Sequence, residues 1–393
     1  MTGNRCCRCV LTTSSPGIVL NSQGICNLCI EWEKHRPTLR DYPALKRLFV
    51  EKIEKVRNRF EYDAIVGLSG GKDGAYVAYS LVKDYGLRVL AITGDYGFMP
   101  NESARNNAIQ VCRALGIDHK FFKLPEQLVR KIFSGYLKMP NVVSPCHMCT
   151  SILGPLVMTE IARNENVPLV VWGLDDGQLY GKFHFPHARQ RIFEYLDSFH
   201  HRPQLEHMQM MLNRAGKFLK TIGLQESEIK DVLPQKLTIG EDNTLIEHLF
   251  YFAHHPNNEE QMKMLLETEL GWKRPAADQP HDHFDCEMKK AVAYTQRTLD
   301  CGSVLENVLS FDVRDGKMSR EQALARLDKE RQKPVPTRPL APYLKFFGLS
   351  ERAYARKIRL LAKIAPVYYS LIKPFSPLFK NHAWFGRLLG LIR

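Results

Sequence analysis

The sequence predicts an α/β protein built on a doubly wound parallel sheet, with an N-terminal zinc ribbon and a helical C-terminal region. Three observations predict this fold class. Strand-like and helix-like segments alternate between residues 64 and 173, the apolar runs have strand length, and two Cys-x-x-Cys pairs lie near the N-terminus. A chain of 393 residues is long enough for more than one domain.

The N-terminal segment carries the pairs Cys6/Cys9 and Cys26/Cys29, with 16 residues between them. This spacing is typical of a four-cysteine zinc ribbon, in which two hairpin turns each provide two thiolates. A site closed by four thiolates is structural, so we assign it no catalytic step. The ten cysteines follow no apolar signal segment, which favours metal or redox chemistry in a reducing, cytoplasmic compartment.

A helical spacing over 43–60 leads to the first predicted strand, Ala64 to Leu68. That strand is followed by Ser69-Gly70-Gly71-Lys72-Asp73-Gly74 and by a helix from Asp73 to Lys83. A strand, a glycine turn and a helix N-terminus together form an anion site, because backbone N–H groups and the helix dipole face the ligand. Lys72 adds a positive charge to this site.

The following elements continue the alternation. We predict strands over 88–93, 120–124 and 168–173, and helices over 102–115, 128–139 and 151–164. Ligands of parallel sheets bind at the carboxyl ends of the strands. Thr93 and Asp95 should therefore lie near a nucleotide base or ribose, Gly173 should lie at the site, and Asp175 and Asp176 could hold Mg²⁺ against pyrophosphate or form a simple turn.

A second thiol pair, Cys146 and Cys149, stands just before a predicted helix. Thiolates at a helix N-terminus are reactive or bind metal, so this pair could be a zinc or iron–sulfur half-site, a sulfur-carrying pair or a structural element. A third ligand for an iron–sulfur cluster could come from Cys286 or Cys301. Cys112 lies on the apolar side of its helix and is expected in the core.

From residue 181 the strand signals fade, and we predict a helical insertion with helices over 205–220 and 244–251. Ser319 and Gln322 form a capping box at the start of a helix that runs to about residue 329. The predicted organisation is a zinc ribbon (1–40), an ATP-binding α/β domain (41–180), a helical substrate or partner region (181–330) and a basic, aromatic-rich tail (331–393).

The tail carries most of the net charge. Residues 331–393 contain 13 Lys and Arg and one acidic residue, so +12 of the total +13 lies there and the body is nearly neutral. Basic residues beside Trp, Phe and Leu fit an anionic membrane surface, a helix docked on the body or a partner, or an RNA-binding arm. No apolar run is long enough to predict a transmembrane helix.

The loop Ser69 to Gly74 resembles the pyrophosphate loop of the ATP pyrophosphatase (PP-loop) superfamily, with Gly74 in place of the usual final serine. The order of several segments resembles the N-acetyl sugar amidotransferase family over roughly residues 5–330. The segments are Cys6 to Cys29, the loop, Pro145-Cys146-His147, Val171-Trp172-Gly173 with Tyr180-Gly181, and Asp312 to Ala323.

The resemblance implies an enzyme that uses ATP to adenylylate the acetamido oxygen of a nucleotide-linked sugar in surface-polysaccharide biosynthesis. Ammonia from a separate glutaminase subunit would displace AMP and leave an acetamidino group. Ser69, Gly70, Gly71 and Lys72 would hold the pyrophosphate, Asp73 would orient the loop or contact Mg²⁺, and Asp175 or Asp176 would complete the metal site.

Other functions stay open within the same superfamily. In a tRNA-thiolating enzyme, Cys146, Cys149 and a third cysteine would hold an iron–sulfur cluster and the basic tail would bind tRNA. Another adenylylating ligase or sulfur transferase would use the same loop. Gly74 in place of serine also allows a degenerate scaffold without catalysis.

Overall fold

The computed structural model describes residues 4–13, 15, 18–138, 154–174, 193, 204–275, 285–286, 304–332 and 341–356. These contain the following strands and helices in chain order: α1 (Asn27–Leu39), α2 (Tyr42–Glu54), β1 (Ala64–Gly67), α3 (Lys72–Lys83), β2 (Val89–Asp95), α4 (Glu102–Leu115), β3 (Asp118–Lys123), α5 (Glu126–Lys138), α6 (Gly154–Asn164), β4 (Leu169–Trp172), α7 (Leu205–Thr221), α8 (Glu226–Lys230), β5 (Thr238–Ile239), β6 (Thr244–Leu245), β7 (Glu247–Phe250), α9 (Tyr251–His254), α10 (Glu259–Leu270), α11 (Val304–Arg314), α12 (Arg320–Gln332) and α13 (Ala341–Phe346).

Five strands form one parallel sheet in the order β3-β2-β1-β4-β7, which confirms the predicted fold class. Side chains alternate between its two faces, as strand geometry requires. Ile65, Leu90 and Val170 pack on one face with α5, α6 and α7. Val66 and Ala91 pack on the other face with α2, α3, α4 and α10. Helices therefore cover both faces of the sheet.

The predicted helix over 244–251 is wrong. This stretch contains β6, which pairs with β5 in a small antiparallel ribbon, and β7, the edge strand of the main sheet. In β7, His248 pairs with Val170 and Leu249 with Val171. Apolar side chains at residues 245, 246, 249 and 250 also fit a helix, and a run this short cannot be assigned from periodicity alone. Pairing with β4 decides in favour of the strand.

The predicted elements of the α/β region are otherwise present, with shifted ends. Strand β2 continues through Asp95, because Thr93, Gly94 and Asp95 pair with β3. The helix predicted over 43–60 ends at Glu54 in the structure. The capping box is confirmed: the Ser319 amide donates to Gln322 Oε1 at 2.8 Å, and the Gln322 amide donates to Ser319 Oγ at 3.1 Å.

The N-terminal cysteine segment and the late helices α11 and α12 form one packed unit. Trp32 packs edge-on against Phe311, with ring centroids 5.3 Å apart. Arg40 pairs with Asp315 at 2.6 Å, and Val10 is buried with Leu309, Ala323 and Leu327 of the two helices. Segments almost 300 residues apart in the chain therefore share a core.

The beginning of the predicted tail also packs on the body. Leu344, Phe347 and Tyr354 are buried in the core that includes Phe98 and Phe133. Residues 357–393 lie outside the described part of the chain. None of the helices in the described ranges has the length and apolar character needed to span a bilayer.

Candidate functional site

The glycine-rich loop lies where the strand order of the sheet reverses. Strands β2 and β3 lie to one side of β1, whereas β4 and β7 lie to the other. The loop from Ser69 to Gly71 follows β1 and leads directly into α3. Open α/β sheets bind ligands in the crevice at such a point, outside the carboxyl ends of the strands. The topology therefore provides a ligand crevice beside the loop.

Gly70 is held between two distant parts of the chain. Its φ of +90° is a left-handed conformation, and a Cβ there would lie 1.9 Å from the Ala104 carbonyl oxygen of α4. Trp272, just beyond α10, donates its indole N–H to the Gly70 carbonyl at 2.9 Å. The Asn107 amide group lies 3.5 Å from the same oxygen and also binds the backbone of Lys273. These contacts fix the backbone of the loop.

Two further glycines let the N-terminus of α3 approach the sheet. A Cβ on Gly74 would lie 2.7 Å from the Gly67 carbonyl oxygen at the end of β1. A Cβ on Gly173, just after β4, would lie 2.8 Å from the backbone of Asp73 and Gly74. Contacts below 3.0 Å are not tolerated by a side chain here. Gly74 therefore has a steric reason to replace the usual serine, and Gly173 lies at the loop as predicted.

The first turn of α3 supplies the charges of the site. Gly71 is the N-cap residue in an extended conformation, and no side chain caps the helix there. Lys72 Nζ donates to both carboxylate oxygens of Asp73 at 3.0 Å, and both side chains are mostly buried. The first amides of a helix and its dipole favour an anion. The loop can thus bind a phosphate group, with Lys72 and Asp73 beside it.

Thr93 and Asp95 lie at the same edge of the sheet, but both already bind protein groups. The buried Thr93 hydroxyl donates to the Leu68 carbonyl and lies 2.8 Å from His119 Nε2. Asp95 accepts a hydrogen bond from Arg105 at 2.7 Å. Thr93 therefore positions the start of the loop, and direct contact of either residue with ATP stays a prediction.

A buried hydrogen-bond network, which sequence reasoning missed, orients Trp172 beside Gly67. The Trp172 indole donates to His248 Nδ1 at 2.9 Å, so His248 carries its proton on Nε2 and donates to Thr159 Oγ1 at 2.9 Å. Gln204 binds both the amide and the carbonyl of His248. His248 belongs to β7, and the helix predicted over 244–251 does not place it beside Trp172.

Several predicted site residues lie outside the described ranges: Asp175, Asp176, Cys146, Cys149 and Cys301. Cys286 is described, and its neighbour Asp285 accepts a hydrogen bond through its carbonyl from the Asn101 amide at 3.0 Å. Asn101 is the N-cap of α4, between β2 and the helix that contacts Gly70. Cys286 therefore lies at the same edge of the sheet as the loop. The buried Cys112 lies in the core as predicted.

The four N-terminal cysteines lie together, as their spacing predicts. Their sulfur atoms are all within 4.8 Å of one another, with Cys6 and Cys29 at 3.9 Å and Cys9 and Cys26 at 3.7 Å. A tetrahedral ion with metal–sulfur bonds of about 2.3 Å needs sulfurs about 3.8 Å apart. The donor set therefore fits a single tetrahedral metal ion. The second pair departs from the expected hairpin turn, because Cys26 caps α1 and Cys29 lies in its first turn.

The surroundings of the cysteine centre favour the thiolate form of Cys6 and Cys9. Hydrogen bonds from Cys26 and Cys29 lower the pKa of Cys6, and they lower the pKa of Cys9 to about 6, whereas the same hydrogen bonds and burial raise the pKa of Cys26 and Cys29. The Cys26 amide donates to Cys6 Sγ at 3.2 Å and the Arg8 amide at 3.4 Å. Metal binds the thiolate form, so these contacts prepare the centre for a cation.

The cysteine centre contacts the edge of the sheet that carries the loop. Leu174, one residue beyond Gly173, and Phe250, at the end of β7, both pack against the cluster that contains the four cysteines and Trp32. The carboxyl ends of β4 and β7 therefore rest on the cysteine module, and the module supports one wall of the candidate crevice.

No protein-family model matches the sequence, and the search of curated proteins found no match. The solved structures that resemble the fold include the following three. The U34-tRNA thiolase NcsA of Methanococcus maripaludis with its [4Fe-4S] cluster is 15% identical, and the match covers 83% of this chain and 89% of that chain with a TM-score of 0.35. The NH₃-dependent NAD synthetase of Campylobacter jejuni is 17% identical, with 49% of this chain and 91% of that chain covered and a TM-score of 0.28. The NMN synthetase of Francisella tularensis is 12% identical, with 60% of this chain and 89% of that chain covered and a TM-score of 0.24. With identities and TM-scores this low, none of them assigns the chain to a family or a substrate.

Proposed function

We propose that the chain is an ATP-dependent amidotransferase synthetase of the PP-loop type, acting on the N-acetyl group of a nucleotide-linked sugar. The observation that carries the ATP part is the loop at the switch point of the sheet, with Lys72 and the uncapped start of α3 at its end. The sugar part rests on the sequence resemblance of the segments from Cys6 to Ala323. AMP and pyrophosphate are the expected products.

The proposed reaction has two steps. The acetamido oxygen attacks the α-phosphorus of ATP, the bond to the β-phosphate breaks, and pyrophosphate leaves. Ammonia then adds to the activated carbon, AMP leaves with the former amide oxygen, and loss of a proton gives the acetamidino group. A separate glutaminase subunit would supply the ammonia.

In this mechanism the loop holds the leaving pyrophosphate. Backbone amides from Gly71 onward and the Lys72 ammonium would stabilise the charge that develops on the leaving group. Lys72 would exchange its contact with Asp73 for the phosphate oxygens. Mg²⁺ bound with ATP would supply further positive charge to the phosphates, and Asp73 is a carboxylate that could hold it. Asp175 and Asp176 remain proposed partners of Asp73.

The test is AMP and pyrophosphate release from ATP in the presence of ammonia and acetamido nucleotide-sugars, with mass spectrometry to detect exchange of oxygen for nitrogen in the sugar. Lys72→Ala should lower AMP formation by about 100-fold or more. Lys83→Ala, on the exposed last turn of the same helix, is the matched control and should leave the rate unchanged. Full activity of Lys72→Ala would show that the loop is not the ATP site.

A second candidate function is tRNA thiolation, and the placement of Cys286 favours it. The contact between Asp285 and Asn101 brings a thiol to the edge of the sheet where the loop lies. Cys286 could then be the third ligand of an iron–sulfur cluster with Cys146 and Cys149, and the basic tail could contact tRNA. The four clustered cysteines would bind one structural zinc ion under either function.

Metal content separates the two functions. Anaerobically purified protein with about one zinc ion and no iron would support the amidotransferase. About one zinc with three or four irons, and loss of iron in Cys286→Ser, would support thiolation instead.

Residues 357–393 could also contact the membrane surface, in which case the protein would be peripheral at the inner face of the membrane.

A further inference from the structure

Arg314 connects the two cysteine pairs. It is the last residue of α11, and its Nε donates to Cys29 Sγ at 3.3 Å while its Nη2 donates to Cys9 Sγ at 3.6 Å. One guanidinium group therefore contacts a sulfur from each Cys-x-x-Cys pair. This contact spans 285 residues to Cys29 and 305 residues to Cys9.

The net charge of the four cysteines with a bound metal ion explains why a positively charged side chain lies beside them. Four thiolates around a divalent ion carry a net charge of −2, and all four cysteines are buried. Charge removed from water is costly unless it is paired. The planar guanidinium group supplies one positive charge and two N–H donors to the sulfurs, and such outer contacts orient metal ligands and adjust their donor strength.

We propose that Arg314 is the counter-charge of a divalent metal ion bound by Cys6, Cys9, Cys26 and Cys29, and that through Arg314 the metal fastens α11 and α12 to the N-terminal module. Other contacts between these parts do not involve sulfur. They include Trp32 Nε1 to the Arg314 carbonyl at 3.0 Å, Arg40 to Asp315 at 2.6 Å, Arg5 to Glu306 at 3.2 Å, and Arg320 Nε to the Cys9 carbonyl at 3.1 Å.

The proposal has a specific consequence for the metal-free protein. When the metal is removed, no ion joins the two Cys-x-x-Cys pairs, so the two sulfurs that accept from Arg314 are no longer held in one position. The remaining contacts then hold α11 and α12 alone. Backbone amides of 304–332 should therefore exchange with solvent faster in metal-free protein, whereas those of β1 and β2 should change little.

Arg320 offers a matched control for Arg314. It also ties the late helices to the first cysteine pair, but it donates to the backbone carbonyls of Cys6 and Cys9 and not to a sulfur. Arg314→Met and Arg320→Met each remove one guanidinium group from the same interface. Only Arg314→Met removes N–H donors from the sulfur atoms that would bind the metal.

The experiment measures zinc affinity by competition with a chromogenic chelator and the sulfur-to-metal absorption band of the cobalt-substituted full-length protein. Arg314→Met should bind zinc about 10- to 100-fold more weakly and shift the cobalt band. Arg320→Met should change neither. Equal loss of affinity in both variants, or unchanged affinity in Arg314→Met, would overturn the proposal.

Two further measurements keep the test decisive if Arg314→Met does not fold. Arg314→Lys keeps the positive charge but loses the two-donor geometry, so its zinc affinity should lie below that of the wild type and its cobalt band should shift. Hydrogen exchange of wild-type protein with and without zinc needs no substitution. Unchanged exchange of 304–332 after zinc removal would contradict the fastening role.

Discussion

The Trp272 indole N–H donates to the Gly70 carbonyl at 2.9 Å, and this bond connects the segment after α10 to the glycine-rich loop. The two residues are 202 positions apart, and Trp272 is 2% exposed. A residue outside the loop motif therefore fixes the position of the Gly70 carbonyl. Changes at Trp272 should act on ATP binding without removing any group that contacts ATP.

Trp272→Phe tests this link, because it keeps an aromatic ring but leaves the Gly70 carbonyl without its main donor. We expect a loss of about 1–3 kcal/mol in the free energy of unfolding and a higher KM for ATP. Trp32→Phe is the control, since Trp32 also donates its indole N–H to a backbone carbonyl, that of Arg314. It should lose similar stability but keep the KM for ATP. An unchanged KM in Trp272→Phe would contradict the link.

Gly74→Ser introduces the residue that the PP-loop pattern usually has at this position. Its Cβ would lie 2.7 Å from the Gly67 carbonyl oxygen, so α3 must move away from β1. We expect a destabilisation of about 1–3 kcal/mol and a lower rate of AMP formation. Gly216→Ala is the control within α7, where a Cβ would make an ordinary 3.6 Å contact with Leu233. Higher activity in Gly74→Ser would disprove the steric explanation.

His248 and Trp172 should contribute to stability as a unit. His248→Leu leaves the Trp172 indole without its acceptor, and Trp172→Phe leaves His248 Nδ1 without its donor. Each change should cost about 1–3 kcal/mol in the free energy of unfolding, because a buried polar group loses its partner. The double variant should lose less than the two single losses combined, as measured by denaturant unfolding. Strictly additive losses would mean that the hydrogen bond contributes nothing.

Acid should destabilise the protein through His255. Burial lowers its pKa from 6.5 to about 4, and its ring lies between the Tyr85 hydroxyl and the Tyr251 carbonyl. The folded state favours neutral His255, so its contribution is complete above about pH 6.5 and is lost as the pH falls towards 4. The loss amounts to roughly 3 kcal/mol.

Denaturant unfolding of zinc-loaded protein between pH 7.5 and 4.5 measures this effect. The fall in stability should be smaller in His255→Gln than in the wild type, because the substituted side chain does not titrate. His119, whose pKa burial and Arg105 also lower, contributes to both proteins and cancels in the comparison. Parallel curves for the two proteins would assign the acid sensitivity to other groups.

Two truncations should separate the docked part of the tail from the rest. Phe347 packs against Phe98 at 5.7 Å and Phe133 at 5.3 Å between ring centroids, and Arg130 lies over the Phe346 ring at 4.5 Å. Deletion from residue 333 removes Phe346 and Phe347, so it should expose Phe98 and Phe133 and lower the unfolding temperature, whereas deletion from residue 357 keeps these contacts and should lower it less. The variant that lacks residues 357–393 also tests membrane contact. If it is recovered in the membrane fraction to the same extent as the full chain, residues 357–393 do not bind the membrane.

The sequence by itself determined the features that depend on residues close together in the chain. Spacing, glycine placement and hydrophobic period predict the loop from Ser69 to Gly74, the cluster of four cysteines, the capping box at Ser319 and most of the helices and strands up to Trp172. These signals suffice because a helix cap and a Cys-x-x-Cys pair are each formed by residues only a few positions apart. The same signals do not specify which substrate the crevice binds.

The tertiary structure alone decided the features that depend on distant pairing. Strand β7 exists as a strand because β4 offers it a hydrogen-bonding edge, and its short apolar run is equally compatible with a helix. The contacts of Trp272 with Gly70 and of Arg314 with the cysteine sulfurs join residues more than 200 positions apart. No local pattern encodes such contacts, since burial and hydrogen-bond partners are fixed only when the chain packs.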